Sequence, residues 1–520
     1  MIRYLVAVVA ACAALACTVH YVGIEQVPRS ADSVTVATPV KAHLVSGETV
    51  VFPDGITLSH DTVRGSGTRY DLRLQPAGPA ATLPLDSVLG LEAYRTRVDA
   101  VPTALLTTVA IAGTAVLTAG VIVAIECASD PKCFGSCPTF YSDSAGTQRL
   151  EAEGFSYSIA PLFEARDVDR LRAQPDAQGV LRLEVRDEAY ETHYINQLEL
   201  LEVRHGPDEF VAPDGQGHPV AIGRLMAPTA AHDRGGRDVR ASLDVADGDA
   251  FHSDSGLLAV ARPGDLDDTI ELEFPAPASH GDSVALLFRM RNSLLNTVLL
   301  YDVMLGDAGA RSLDWQASQL ERVGPALQLG QWYAAQMGMR VAVWRDGEWQ
   351  EAAHLRDTGP VAWKDIAAVV PAPAGPVLRV RLTFVADDWR IDRVAAGFAV
   401  RRPAVRRHAL ARVLDAAGAL DTAARASLAS ADGRYLETTA GQRFTAEWRP
   451  DTAPADSLRT FLLASQGYYI EWIRRGWLAA PRSSQPFVPS DSALAGAVAR
   501  YRVVKGTLER RFLATRVPVR

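Results

Sequence analysis

The sequence predicts a mainly β fold, in which a small barrel and a transmembrane-like helix precede antiparallel β-sandwich modules with a helical insertion. Three observations predict it. From residue 136 onward, apolar and polar residues alternate at period two, as in residues 181–185 and 270–274. Gly, Pro and Asp turns separate these stretches, as between antiparallel strands. No charged residue occurs between Asp99 and Glu126, a length that suits a membrane-spanning helix.

Composition limits the classes of protein that fit. A chain of 520 residues exceeds one compact core and predicts about three domains. With 48% hydrophobic and 22% charged residues, it has enough apolar material to fold. The formal net charge of -8 disfavours nonspecific binding of nucleic acid, because the average surface field repels a polyanion.

Residues 1–19 have the pattern of a bacterial secretory signal peptide that ends in a lipobox. Arg3 is followed by an uncharged apolar run, and Cys17 follows Ala14-Leu15-Ala16. Cys12 is the alternative lipidation site, although it leaves a shorter apolar stretch. A diacylated cysteine would anchor the mature protein on a membrane. An ordinary cleaved signal and an uncleaved anchor helix stay open as alternatives.

Residues 20–100 are predicted to form a small β-barrel domain of SH3 or Sm type. Short β-prone stretches are separated there by Ser46-Gly47, Pro53-Asp54-Gly55 and Gly65-Ser66-Gly67. These are turn signals at the spacing of β-hairpins.

Residues 101–126 are predicted to form the transmembrane-like helix. The uncharged segment 103–125 is long enough to span a bilayer. Its small residues would let a second helix approach closely, so self-association through this segment is expected. A buried, Ala-rich helix between soluble domains is the alternative.

Three cysteines follow this segment closely, and the chain after residue 137 has none. They are Cys127, Cys133 and Cys137. In an oxidising compartment two of them would form a disulfide, and buried free thiols are the alternative. A zinc site is disfavoured because the spacing lacks a C-x-x-C pair and no His lies nearby in sequence.

The remaining chain divides into three predicted β-rich parts. These are a β-rich domain at 127–224, a sandwich module at 225–403 with a helical insertion at 312–338, and a C-terminal module at 404–520. The segment R-A-S-L-D-V-A-D-G at 240–248 matches R-A-S-L-A-S-A-D-G at 425–433. The C-terminal module is therefore expected to duplicate part of the preceding one.

The order of these segments resembles an uncharacterised family of bacterial envelope lipoproteins. An apolar leader ending at cysteine, a small β-unit and an apolar run precede a Ser-Cys-Pro-x-x-Tyr motif, here Ser136, Cys137, Pro138 and Tyr141. The stretch at 375–394 is similar to the closing strands of that family's β-rich region, and the stretch at 456–477 is similar to a C-terminal β-module of other exported proteins. The resemblance implies location and architecture: a membrane-anchored envelope protein, periplasmic or surface-exposed. It implies no activity.

Two groups of aromatic residues are candidate ligand platforms. In W-R-D-G-E-W, Asp346-Gly347 predicts a type I′ turn that places Trp344 opposite Trp349. Such a pair can stack on sugar rings, although packing within the sheet is the commoner role. The second group is Tyr468, Tyr469 and Trp472, for which core packing is again the commoner role.

Acidic residues in the loops allow a weak calcium hypothesis, carried by Asp247, Asp249 and Asp254. Turns also use Asp for local hydrogen bonds, and no EF-hand spacing is present. No other cofactor is expected.

Motifs of catalysis are absent from the sequence, which contains no H-E-x-x-H, G-x-S-x-G or Walker A pattern. The sequence therefore favours a non-enzymatic envelope protein whose β-modules bind a polysaccharide or a partner protein. The alternative is an exported hydrolase with a carboxylate pair, since the separation of such a pair is not visible in sequence.

Overall fold

The computed structural model describes residues 33–59, 61–71, 75–94, 137–144, 146–254, 256–257, 262–318, 320, 322–452, 458–479, 487–512, 516–517 and 519. The predicted leader, the uncharged segment 103–125, Cys127 and Cys133 lie outside these residues. Within them, no helix has both the length and the apolar character needed to cross a bilayer. The mainly β architecture predicted from the sequence is confirmed.

The N-terminal unit is an antiparallel sheet of short strands. They are β1 (Ser33–Val36), β2 (Val40–Leu44), β3 (Thr49–Phe52), β4 (Ile56–Ser59), β5 (Thr62–Tyr70), β6 (Pro76–Pro84) and β7 (Val88–Ala93). A strand from far along the chain, β29 (Ile473–Arg474), pairs with β7 and attaches this unit to the body. The positive φ of 84° at Gly55 shows why glycine is needed in the β3–β4 turn.

A buried polar contact strengthens this attachment. Glu92 on β7 accepts hydrogen bonds from the hydroxyls of Thr192 and Tyr194, each at 2.9 Å. His43 lies 3.0 Å from the same carboxylate and stacks on Trp472, with ring centroids 3.8 Å apart. The N-terminal unit is therefore joined to the body by charge, hydrogen bonds and an aromatic stack.

The first sandwich combines strands from two distant segments. Its early strands are β8 (Thr139–Ser144), β9 (Thr147–Glu153), β10 (Ala165–Arg170), β11 (Leu181–Arg186) and β12 (Glu191–His205). Its late strands are β24 (Val405–His408), β25 (Arg412–Leu414), β26 (Leu436–Thr439), β27 (Arg443–Trp448) and β28 (Leu458–Glu471). The sheet orders are β10-β28-β12-β24, with β26 also on β12, and β25-β27-β11-β8-β9. The segments 127–224 and 404–520, predicted as separate modules, thus interleave in both sheets.

The second sandwich lies between these two segments in sequence. Its strands are β15 (Ala230–Asp233), β16 (Asp267–Pro275), β17 (Ser283–Asn292), β18 (Met339–Arg345), β19 (Glu348–Leu355), β20 (Lys364–Pro371), β21 (Val377–Val385) and β22 (Trp389–Gly397). The sheet orders are β15-β16-β21-β18-β19 and β20-β17-β22. Alternating apolar residues, including Ile270, Leu272 and Phe274, are fully buried between the two sheets.

A small sheet lies between the two sandwiches. It contains β13 (Phe210–Pro213), β14 (Pro219–Ile222) and β23 (Val400–Arg401). One face packs on β10, β12 and β28, and the other packs on β17 and β20. At Gly397 a Cβ atom would come within 2.2 Å of Ile222, so glycine allows this close approach.

Most of the helices pack at the junction between the N-terminal unit and the body, whereas the two at 241–244 and 422–428 pack on the second and the first sandwich, respectively. The helices are α1 (Ala241–Asp244), α2 (Leu295–Thr297, continued by a π-helix at Val298–Leu305), α3 (Arg311–Ser318), α4 (Val323–Gln336), α5 (Thr422–Leu428), α6 (Arg475–Ala479) and α7 (Asp491–Phe512). The helical insertion predicted at 312–338 is divided into α3 and α4. Pro325 lies in the first turn of α4, where a missing backbone N–H removes no helical hydrogen bond.

Candidate functional site

A cleft of about 840 Å³ opens between the sandwiches and α4. A side chamber of about 210 Å³ shares several of its lining residues. Most of the lining side chains are apolar; examples are Ile159, Leu162, Phe163, Ala334 and Val369. A concave and largely apolar cavity of this size is the usual form of a ligand site.

Two edge strands of the second sandwich border the cleft. The residues at 352–355 on β19 and 367–369 on β20 line it. Within the described residues, β19 pairs only with β18. Its outer edge therefore keeps backbone donors and acceptors that can pair with an added strand.

A buried carboxyl group forms part of the cleft floor. Asp357 is 7% exposed and accepts hydrogen bonds from the amides of Asn292 at 3.2 Å and Asn296 at 2.7 Å. The hydroxyl of Tyr333 also contacts it. Burial raises the pKa of Asp357 above its usual value, although these hydrogen bonds act in the opposite direction. Burial and the neighbouring Asp357 raise the pKa of Asp388 well above its usual value.

The other carboxylates on the cleft wall hold the structure together. Glu164 accepts hydrogen bonds from Asn196 at 2.6 Å, Gln466 at 2.9 Å and Tyr435 at 2.5 Å. All of these bonds join elements of the first sandwich. Glu164 therefore has a complete set of protein partners and is poorly placed to activate a water molecule.

Asp214, another carboxylate that lines the cleft, is held in the same way. It accepts a hydrogen bond from Arg402 at 2.6 Å and two from the backbone N–H groups of Gln216 and His218, each at 2.9 Å. These bonds fix the turn between β13 and β14. Asp214 is thus explained by its structural role.

A second cluster of ionisable groups lies deep in the first sandwich. Asp187, Glu191 and His193 form the only group among the described residues that brings three potential metal-ligand atoms within 4.8 Å of one another. His193 Nδ1 lies 3.3 Å from Asp187 and Nε2 lies 2.7 Å from Glu191. The two ring nitrogens point in opposite directions, so one ion bound at either nitrogen would face only one carboxylate. The geometry fits an imidazole that bridges two carboxylates.

The predicted aromatic platforms have different environments. Trp344 is 37% exposed and makes an edge-to-face contact with Trp349, with ring centroids 5.3 Å apart. Arg379 lies 5.1 Å from the Trp344 ring, and Arg381 lies 4.3 Å from the Trp349 ring. The pair is thus on the surface, but guanidinium groups cover part of the ring faces.

The second aromatic group lies inside the protein. Tyr468, Tyr469 and Trp472 are buried, so they present no surface to a ligand. Tyr469 accepts a hydrogen bond from the hydroxyl of Tyr301 at 2.7 Å. These side chains join the first sandwich, the N-terminal unit and the helices.

The weak calcium candidates are separate turn residues. Asp247 accepts a hydrogen bond from the backbone N–H of Asp249, and Asp254 accepts one from that of Gly256.

Cys137 is a buried thiol without a disulfide partner among the described residues. Burial raises its pKa well above the usual value, as do the neighbouring Glu191 and Glu153.

Sequence reasoning missed the cleft and its floor. The residues that line the cleft lie between positions 157 and 402, and most of them belong to no recognisable sequence motif. One signal was present: Asn292 and Asn296 lie four residues apart around an apolar pair. Amides placed inside an apolar stretch need buried partners, and here the partner is Asp357.

Comparisons with known proteins do not identify a family. No protein-family model matches the chain, and no curated protein does. Among solved structures, the C-terminal CBM6 module of a marine laminarinase from Zobellia galactanivorans is 9% identical. The match covers 38% of this chain and 98% of that one, with a TM-score of 0.14.

Two further solved structures are glycoside-degrading enzymes. For an exo-β-1,3-galactanase from Phanerochaete chrysosporium, identity is 7%, coverage is 68% of this chain and 66% of that one, and the TM-score is 0.17. A GH31 α-xylosidase from Xanthomonas citri is 10% identical, and the match covers 84% of this chain and 38% of that one, with a TM-score of 0.15. Similarity at this level carries no argument about ligand or activity.

Proposed function

We propose that this chain is a non-enzymatic binding protein that takes an extended, apolar segment of a partner protein into the cleft. The cleft itself carries the proposal: its walls are largely apolar, and one wall ends in the open edge of β19. A peptide added along that edge would satisfy its backbone groups, while its side chains would enter the apolar cavity. A polysaccharide would present hydroxyl groups to walls that offer them few partners.

The alternative of an exported hydrolase receives less support from the same cleft. Of its lining carboxylates, Glu164 and Asp214 are fully engaged in structural hydrogen bonds. A glycosidase requires two carboxyl groups that face each other across the cleft and are free to react with the substrate. Asp357 already accepts hydrogen bonds from two buried amides. We therefore retain binding as the function.

Polysaccharide binding at the Trp344 surface is a second candidate. The exposure of Trp344 and the flanking Arg379 and Arg381 favour it, because sugar sites combine an aromatic face with charged hydrogen-bonding groups. A sugar would have to share the ring faces with the guanidinium groups. Retention of the full-length chain on immobilised neutral polysaccharides, and its loss in Trp344→Ala, would support this candidate.

The cell envelope is the proposed location, with the chain held on a membrane through a lipid on Cys17. The leader sequence and its cysteine support this part of the proposal. Metabolic labelling with a lipid analogue tests it. Label is expected in the wild type and in Cys12→Ala, and it should be absent from Cys17→Ala. Unlabelled wild-type protein in the cytosolic fraction would refute the location.

Peptide binding is tested by filling the cleft from α4. Ala334 is exposed on α4 and lines the cleft, whereas the adjacent Ala335 is exposed and does not line it. Ala334→Trp is expected to reduce retention of a bead-displayed library of hexapeptides by about ten-fold or more. Ala335→Trp is the matched control and should bind as the wild type does. Equal retention by all three proteins would refute the cleft as the binding site.

A further inference from the structure

We infer that Arg356 selects cleft ligands that carry an acidic group, so that the partner segment is apolar along β19 and acidic at the residue beside Arg356. This inference rests on the proposed function, since it concerns the same cleft. The ligand class is an extended segment that is acidic at one residue and otherwise apolar, and Arg356 is the side chain that recognises the acid.

The position of Arg356 favours this role. It is exposed and contributes to the lining of both the cleft and the side chamber. It directly follows Leu355, the last residue of β19. A segment paired along the open edge of β19 would therefore bring one of its terminal residues next to this guanidinium group.

The charge of Arg356 is available. Among the described residues, no carboxylate lies within ion-pairing distance of it, and it makes no hydrogen bond to them. A guanidinium group offers a planar, bidentate match to a carboxylate. An anion brought to this site would thus find an unused partner.

The other cations around the cleft are neutralised. Arg402 is bound to Asp214 at 2.6 Å, and Lys364 lies between Asp167 and Asp169, with Nζ 3.0 Å from Asp169. Arg166 lies 3.4 Å from Glu199. Each of these three cations is therefore paired with a carboxylate of the protein, whereas Arg356 has no such partner among the described residues.

The neighbours of Arg356 favour an acidic guest further. His354 is exposed, lines the cleft and lies two residues before Arg356. Burial raises the pKa of Asp357 at the floor, which weakens the repulsion that a carboxylate entering the cleft would otherwise meet. An acidic group at this end of the cleft would therefore meet the Arg356 guanidinium group, although the whole chain has a net charge of -8.

The experiment is a selection with the full-length protein. A bead-displayed library of hexapeptides with apolar residues at alternate positions, and all residues at the others, is selected on the wild type, on Arg356→Gln and on Arg345→Gln. Arg345 is a matched control because it lies on the same β18–β19 hairpin, has no ion pair among the described residues and does not line the cleft.

The expected result is enrichment of Asp or Glu at one fixed position in the peptides selected by the wild type and by Arg345→Gln. In Arg356→Gln the enrichment should disappear, and affinity for an acidic peptide should fall by roughly 3- to 10-fold, with little change for its amide counterpart. Added salt should weaken binding of the acidic peptide to the wild type.

Two different failures are distinguishable. If peptides bind and Ala334→Trp abolishes their binding, but acidic residues are not enriched or stay enriched in Arg356→Gln, the inference about Arg356 is overturned while the cleft remains the site. If Ala334→Trp binds the same peptides as the wild type, the proposed function fails and the inference fails with it.

Discussion

Asn196 and Asp392 occupy equivalent places in the two sandwiches. Each is the extra residue of a β-bulge, Asn196 on β12 and Asp392 on β22. Each side chain accepts a backbone hydrogen bond from an Asp-Gly turn, at Gly433 (3.3 Å) and Gly248 (2.7 Å) respectively. Both turns belong to the repeated R-A-S-L-x-x-A-D-G segment. Duplication stays a prediction, and this shared contact supports it.

Removal of the Asp392 carboxylate should destabilise the second sandwich. Asp392 is 2% exposed and also accepts a hydrogen bond from Arg289 at 3.2 Å. Asp392→Ala leaves two donors without their acceptor, so we expect a loss of about 2–3 kcal/mol in the free energy of unfolding. Urea denaturation measures it. Asp249→Ala, a change at an exposed residue of the same turn, should alter stability by no more than about 0.5 kcal/mol.

Stability should depend on Glu92 in acid. Burial opposes its ionisation, but Lys41 and the bonds from His43 and Tyr194 outweigh burial and lower its pKa from 4.5 to about 2. Because the folded pKa lies below the unfolded value, the contribution of Glu92 is complete above pH 4.5 and is lost as the pH falls towards 2. Its size is on the order of 3 kcal/mol.

The variant Glu92→Gln should remove this part of the pH dependence. Thermal unfolding of the wild type and the variant is measured between pH 2 and 6. The difference between their free energies of unfolding should decrease as the pH falls. Glu48→Gln is a control, since Glu48 pairs with Arg69 near the surface of the same unit. A difference in free energy of unfolding that stays constant over this pH range would contradict the stabilising role of the ionised Glu92.

Glu471 should have the opposite effect. Burial raises its pKa from 4.5 to about 8, and Arg474 opposes the rise only in part. The folded state then holds the proton more tightly than the unfolded state, so stability is complete below pH 4.5 and is lost as the pH rises towards 8. Glu471→Gln, which resembles the protonated acid, should be more stable than the wild type at pH 8 by about 1–3 kcal/mol. At pH 4 the two proteins should unfold alike.

Lys364 should be essential for the contact between the sandwiches. It is 5% exposed on β20 and lies between Asp167 and Asp169 of β10. Lys364→Met leaves the buried Asp169 and the partly buried Asp167 without their cation, which should cost about 3–5 kcal/mol. Arg340→Met breaks the exposed pair with Asp267 and should cost less than about 1 kcal/mol. Similar losses in both variants, measured by denaturation, would contradict the role of burial.

Local structure was largely predictable. The alternation at Leu181, Leu183 and Val185 predicted β11, and all three side chains are buried. The Asp346-Gly347 turn has φ values of 53° and 86°, as a type I′ hairpin requires. Such features depend on neighbours in sequence, so the residue order contains the information.

The candidate site was not predictable in the same way. Nothing near Ala334 in sequence indicates that it lines the same cleft as Ala353. Nothing near Arg356 in sequence indicates that its guanidinium group has no carboxylate partner among the residues that the structure describes. Glu164 illustrates the limit: its partners Asn196, Tyr435 and Gln466 lie 32, 271 and 302 residues away. Pairings over such distances depend on how the sheets assemble.

The sequence by itself determined the strands and the tight turns, because each depends on residues within about ten positions of one another. The repeated segment and the expected leader are also visible directly in the order of residues. Only the tertiary structure decided that β8–β12 and β24–β28 share one sandwich and that Tyr468 and Trp472 are buried at a junction. It also decided that an apolar cleft opens between the sandwiches. The physical reason is that burial and charge pairing are set by contacts between distant segments, which alternation along a strand does not specify.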